Sequence, residues 1–354
     1  MIQNPDLSDH YSHRSEAEWD LDQSDYSDQS DQFDHYPGAP RHRWMKAGHK
    51  PKRSRSEILA AIVEWGDPAL GEDGLYFSPT LDATWQEKDW ISEHLGPFWA
   101  GKQITGVLRR VKGGKEANVY CCAAHPATGL DLIAAKLYRP RKFRNLRNDS
   151  QYRQGRPILD ARGEVVSQRD WRMHKAIQSK SRKGLEAQQT SWIEYEFQSM
   201  RRLYEAGADV PLPVKRGDHT ILMEYVGDEI IAAPALIQVS LAPDEARGLF
   251  ERLMRNVEVM LGCSVIHGDL SAYNVLYWNG AVKIIDFPQV VDPRGNPDAF
   301  VLFSRDVERL CQYFARYGVV SQPTELANDL WARCAPEADD FTEVEFEADF
   351  ENEA

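Results

Sequence analysis

The sequence predicts an α+β fold, and three observations carry that reading. The chain has 354 residues, 42% hydrophobic and 27% charged, which is material for one large or two modest globular domains. Short strand signals crowd between Ile104 and Leu137. Long amphipathic helical signals dominate after Pro243.

Charge and cysteine usage narrow the class. The formal net charge of −13 is concentrated at the ends. Residues 1–35 carry ten acids and one base, and residues 335–354 carry nine acids and no base, so residues 36–334 form a mildly basic body of +5. No apolar run approaches the roughly 20 residues that span a bilayer, so no membrane association is expected. The N-terminus, MIQNPDLSDH, has neither the basic nor the apolar region of a secretory signal. The five cysteines (Cys121, Cys122, Cys263, Cys311 and Cys334) are odd in number and form no CxxC. That argues against a disulfide scaffold or zinc site and for a reducing, cytoplasmic setting.

The elements follow in order. Residues 1–35 are acidic and apolar-poor and read as disordered; the grammar of a calcium-binding loop is absent. Arg41 to Arg55 holds seven bases and no acid and reads as a solvated linker, which makes 1–55 a disordered segment, acidic then basic. A helical extension is expected over 56–99. Ser56 caps a first helix with Ile58, Ile62 and Trp65 on one face, and a second runs from Asp82 to Leu95 and stops at Gly96-Pro97. Strands are expected at Ile104–Arg110, Asn118–Ala124 and Asp131–Leu137, with a turn at Pro126–Gly129. A polar insert over 139–190 reads as flexible; its residues 139–183 hold fourteen bases and four acids. Then come a helix at Trp192–Tyr204, a strand at Thr220–Tyr225 and a helix opened by Pro243. Asn279-Gly280 marks a hairpin between Val275–Trp278 and Ala281–Ile285, and a last helix covers Arg305–Tyr317.

Four features carry chemistry. Val111–Tyr120 contains Gly113 and Gly114, which let the backbone approach a phosphate closely or simply make a hairpin turn. Lys136 lies in an apolar strand and needs a counter-charge. Glu196 is the candidate partner, and Glu194 the fallback. His267-Gly-Asp-Leu-Ser-Ala-Tyr-Asn274 sets an acid and an amide five residues apart on a tight loop. Asp269 could orient the proton of an attacking hydroxyl, and Asn274 could offer its carbonyl oxygen to magnesium. Asp286 closes the apolar strand Ile284-Ile-Asp, where a carboxylate costs free energy unless it meets a cation or donor.

In this order the features match the protein-kinase arrangement. GKEANVY (114–120), HGDLSAYN (267–274), IIDFPQ (284–289) and Arg305-Asp306-Val307 resemble the RIO family of atypical serine/threonine kinases, over roughly residues 100–320. Lys112 and Ala117 stand where an ordinary kinase loop has glycines, and Phe-Pro follows Asp286. The resemblance therefore implies a bilobal protein-kinase-like domain over 100–325 that lacks the activation segment and peptide-binding helices, with an acidic disordered tail at 335–354.

The resemblance also implies ATP and Mg²⁺ as cofactors. Gly113, Gly114, Lys115 and Val119 would contact the nucleotide. Lys136 would hold its α- and β-phosphates and pair with Glu196. The backbone of Glu224 and Val226 would bind adenine, with Met223 behind it. Asp269 would be the catalytic acid, Asn274 and Asp286 would hold magnesium, and Asp286 could accept phosphate as an aspartyl-phosphate, which makes ATPase activity plausible. The motifs mix RIO branches. RNA or a ribosomal particle is the partner expected at the basic insert; no DNA-specific motif is present. Two alternatives are a nucleotide-gated binding module and a small-molecule phosphotransferase of the aminoglycoside or choline kinase type.

Overall fold

The computed structural model describes Pro79, Leu81 and residues 83–114, 116–139, 156–160, 162–167 and 169–336. The expected helix after Ser56, the two acidic ends and the 41–55 basic stretch lie outside these residues. So does Lys115.

Helix α1 (Trp85–Ala100) is capped by Thr84, whose hydroxyl accepts from the Glu87 amide. It does not stop at Gly96-Pro97. Pro97 lies inside it, and the helix ends where the Gly101 amide donates to the Pro97 carbonyl at 2.9 Å. Ile91, Leu95 and Phe98, spaced four and three apart, are all buried against the sheet, and that burial offsets the one backbone bond that proline removes.

The sheet contains β1 (Ile104–Gly113), β2 (Ala117–Ala124), β3 (Leu132–Tyr138), β4 (Pro213–Arg216) and β5 (Thr220–Glu224), ordered β1-β2-β3-β5-β4 and paired antiparallel throughout. Strand β3 is central and buried on both faces. Ile133, Ala135 and Leu137 join the core under α1, whereas Ala134 and Tyr138 belong to clusters on the other side. The period-2 alternation thereby sends Lys136 to the face opposite α1.

The described part of the insert is more ordered than its composition suggests. Helix α2 (Trp171–Gln178) lies within it, and α3 (Arg182–Glu205) begins ten residues before the expected Trp192. Its first turns are largely polar and show no apolar period; the Ser181 cap and an Arg182–Glu186 pair at 2.9 Å support them instead. Gly184 permits the close packing of α3 on α2, because a Cβ there would collide with the Ala176 carbonyl.

The second lobe holds α4 (Pro243–Gly262), the hairpin β6 (Val275–Trp278) and β7 (Ala281–Ile284), α5 (Ala299–Ala315) and α6 (Pro323–Cys334). Its core gathers Leu253, Val257, Val275, Ile284, Leu302, Val307 and Phe314 with α3 residues Met200 and Leu203. Residues 287–298 alone join Asp286 to α5. The architecture is the bilobal α+β arrangement expected of a kinase-like chain. All five cysteines are unpaired. No helix among the described residues is long and apolar enough to cross a membrane.

Candidate active site

Three elements meet at Lys136. Strand β3 supplies the lysine, α3 supplies Glu196, and the residue after β7 and Ile285 is Asp286. The Lys136 ammonium lies 2.6 Å from Glu196 Oε1 and 2.6 Å from Asp286 Oδ1. Glu196 is also bonded by the Tyr138 hydroxyl, two residues from Lys136 on the same strand face. The choice between the two glutamates is thereby resolved. Glu194 points away, into an ion pair with Arg216 and a 2.7 Å bond from Gln198.

Burial works against the Lys136 charge, but the two carboxylates overcome it and raise its pKa well above the ordinary lysine value. Burial likewise opposes ionisation of Asp286, and the neighbouring ammonium overrides it, holding the carboxyl below the usual aspartate value. Asp286 has φ +71°, a left-handed conformation that costs a non-glycine residue about 1–2 kcal/mol.

The β6–β7 hairpin sets the rest. Asn279 and Gly280 have φ +51° and +76°, the two positive values of the tight turn their identities predict. Val275 pairs with Ile284, and the Ile285 amide donates to the Asn274 carbonyl at 2.9 Å. Asn274 and Asp286 are therefore brought to the same end of one hairpin. The Asn274 amide nitrogen donates to the Asp269 carbonyl and to Asp269 Oδ2, at 2.9 and 3.2 Å, which leaves its amide oxygen as the group to offer a cation. Two hard oxygen donors suit magnesium, which keeps waters and substrate phosphates among its ligands. Among the described residues no cluster of three or more His, Cys, Asp or Glu could hold a metal by itself.

The glycine turn joins β1 to β2, with Gly113 opposite Asn118 and Lys112 opposite Val119. Neither Gly113 nor Gly114 has positive φ; a Cβ on Gly114 would lie 3.0 Å from the Ala117 carbonyl oxygen, a tight contact. At the other end of the sheet, half-buried Met223 packs between two core clusters. The Glu224 amide bonds the Leu212 carbonyl at 2.8 Å, and its carboxylate accepts from Lys283 at 2.9 Å, tying β5 to β7. The Val226 carbonyl accepts from the Ala233 amide at 2.9 Å.

The family model for the RIO domain matches residues 118–326, more than half of the chain. The chain belongs to the RIO family. It is similar to serine/threonine-protein kinase rio1 of Schizosaccharomyces pombe, with 32% identity over 136 residues (37% of this chain, 27% of that protein). It is 30% identical to serine/threonine-protein kinase RIO3 of Mus musculus over 139 residues (39% and 26%). With serine/threonine-protein kinase RIO1 of Homo sapiens it shares 28% over 224 residues (62% and 36%). The chain spans about a quarter to two fifths of the length of the curated relatives it matches. Relatives named RIO1 and RIO3 both appear, in keeping with its mixed motifs.

Several RIO-domain residues at this site were not singled out as site residues from the sequence. Asp306 of α5, quoted there only as part of a motif, is buried and accepts from the amides of Gly268 and Leu270 at 2.7 and 2.9 Å, clamping the HGDLSAYN loop from behind. Its signal was an acid on the apolar face shared by Phe303, Val307 and Leu310. His267 bridges that loop to the Asp286 strand, with Nε2 3.1 Å from the Ile285 carbonyl and Nδ1 3.3 Å from the Asp269 amide. Arg309 reaches Asp269 Oδ1 at 2.7 Å, a pairing that nothing in the spacing announces.

Two outcomes follow for stability. Lys136→Met leaves Glu196, 2% exposed at its side chain, without its cation, and urea denaturation should show a loss of about 3–5 kcal/mol. The double variant Lys136→Met/Glu196→Gln should lose less than the sum of the single variants. Burial pushes the Asp306 carboxyl up to about 6, against the opposing pull of His267 and the two amides. Its folded-state value exceeds the ordinary 3.8, so the folded chain binds the extra proton between those values. The contribution of Asp306 to stability therefore falls as pH rises through that window, by up to about 3 kcal/mol, and is flat above it. Urea unfolding from about pH 4 to about pH 7 should show this slope in wild type and lose it in Asp306→Asn.

Proposed function

We propose that the chain transfers the γ-phosphoryl group of ATP, as a RIO-type serine/threonine kinase and/or ATPase. The observation that carries this reading is the Lys136 ammonium bridging Glu196 and Asp286, with Asn274 at the same hairpin end and Asp269 hydrogen-bonded to it. Lys136, held by Glu196, would meet the α- and β-phosphates. The amides of Gly113 and Gly114 and the neighbouring Lys115 and Val119 would cover the phosphates. The backbone of Glu224 and Val226 would take the adenine edge, with Met223 behind it. Asn274 and Asp286 would hold Mg²⁺, which neutralises charge on the phosphate oxygens. The attacking hydroxyl forms the new P–O bond as the bond to ADP breaks, and its proton passes to Asp269. With Asp286 as nucleophile, its carboxylate oxygen forms the bond instead, ADP leaves, and water then hydrolyses the aspartyl-phosphate.

The basic insert supports a partner reading of the same protein. Trp171 is 63% exposed at the start of α2, with the Arg172 and Lys175 side chains 5.7 and 6.0 Å from its ring centroid. Arg169, Lys180, Arg182 and Lys183 flank it. An exposed aromatic among cations is the surface that stacks a base and holds a phosphate backbone, so RNA, free or in a ribosomal particle, is the partner we favour.

Incubation with γ-labelled ATP and magnesium tests the chemistry. Wild type should label itself or release phosphate. Asp269→Ala should lower transfer by about 100-fold or more while nucleotide binding persists. Full turnover in that variant would remove the assigned role. Label sensitive to hydroxylamine and lost in Asp286→Asn would mark the aspartyl route, whereas transfer onto choline or an aminoglycoside would favour a small-molecule phosphotransferase. RNA binding that weakens steeply with added salt supports the partner reading, and salt-independent or absent binding removes it.

A further inference from the structure

The part of the insert that lies along α3 does something the basic composition does not suggest. Residues 156–160 and 162–166 form the arms of a small hairpin, with a β-bridge between Leu159 and Val165. Asp160 Oδ1 accepts from the amides of Arg162 and Glu164 at 2.7 and 3.0 Å, and Gly163, at φ +81°, makes the turn directly over the Glu194 carboxylate. Leu159 is 1% exposed, and its amide donates to Ser191 Oγ on α3 at 3.0 Å. The hairpin is therefore seated on the helix rather than solvated beside it.

At the open end of this hairpin stands Arg156. Its guanidinium carbon is 4.6 Å from the Tyr195 ring centroid on α3. On its other side it donates to the Val290 carbonyl and lies 3.5 Å from the Pro288 carbonyl, both just past Asp286. The Trp192 indole donates to the same Pro288 carbonyl at 3.0 Å. Trp192, Tyr195 and Glu196 fall on one helical stripe. Trp192 grips the segment after Asp286 directly, Tyr195 does so through Arg156, and Glu196 grips Lys136. A planar guanidinium suits this place, since it can stack on a ring while its forked N–H groups reach two carbonyls.

We propose that Arg156 is a positioning residue: with its hairpin it straps α3 to residues 288–290 and so sets the separation of Glu196 and Asp286 that Lys136 bridges. Only 287–298 connect Asp286 to α5, so the strap supplies from the insert a brace for this short segment. The consequence for turnover rests on the kinase reading above; the brace itself does not.

Hydrogen–deuterium exchange on the full chain tests the strap without requiring activity. Arg156→Ala should speed amide exchange in 192–197 and 286–291 by about tenfold, while β2 and α4 keep wild-type protection. Arg156→Lys, which keeps the charge but loses the fork, should be intermediate. Unchanged exchange in both segments would overturn the proposal, as would a uniform increase across the chain, which would mark Arg156 as a general contributor to stability. In assays, Arg156→Ala should lower kcat and raise KM for ATP, and Arg156→Lys should recover part of both. If wild type transfers no phosphate, the proposed function fails, and the exchange pattern still decides the strap.

Discussion

A lysine ammonium 2.6 Å from two carboxylates on two separate elements is the constraint around which this chain is organised. Lys136 is 9% exposed, and a charge so buried is tolerated only when it is paired and hydrogen-bonded. Each partner must therefore arrive from its own element. The alternation of β3 aims Lys136 away from α1, the stripe of α3 delivers Glu196, and the β6–β7 hairpin delivers Asp286. A slip of one residue in β3 would send Lys136 into the core beneath α1.

Around that centre the chain spends its buried polar groups on holding loops. Asp306 clamps the amides of Gly268 and Leu270, and His267 joins the same loop to the Ile285 carbonyl beside Asp286. Asp269 is fixed from two sides, by Arg309 and by Asn274. The Arg156 hairpin braces the segment beyond Asp286. Chain that is irregular in φ/ψ, including the left-handed Asp286, is thus restrained by side chains from α3, α5 and the insert.

Much of this was legible in the residues. The strands of the first lobe, the α4 stripe and the Asn279-Gly280 turn have strong local signals, and the structure reproduces them within a few residues. What was not legible depended on tertiary contact. The passage of α1 through Pro97 depends on burying Phe98 beneath the sheet, which no local rule anticipates. The early start of α3 is polar and has no apolar period, so composition made it look like a loop. Strand β4 is four residues long and begins with proline, and α6 runs on past the expected domain end at 325. At the site, Lys136, Glu196 and Asp286 lie in direct contact, and Asn274 stands at the same hairpin end as Asp286. Tyr138 sat two residues from Lys136 and could have been found by strand period, whereas Arg309 and Arg156 reach their partners across the fold and leave no mark in the spacing.

The central claim is that this cluster around Lys136 is a receptor for a triphosphate. Calorimetric titration of ATP with magnesium into the full chain, alongside Lys136→Met, tests it most directly. The account predicts saturable heat with wild type and affinity at least about tenfold weaker in the variant, the loss of one charge-assisted contact. No heat with wild type, or equal affinity in both proteins, would contradict it.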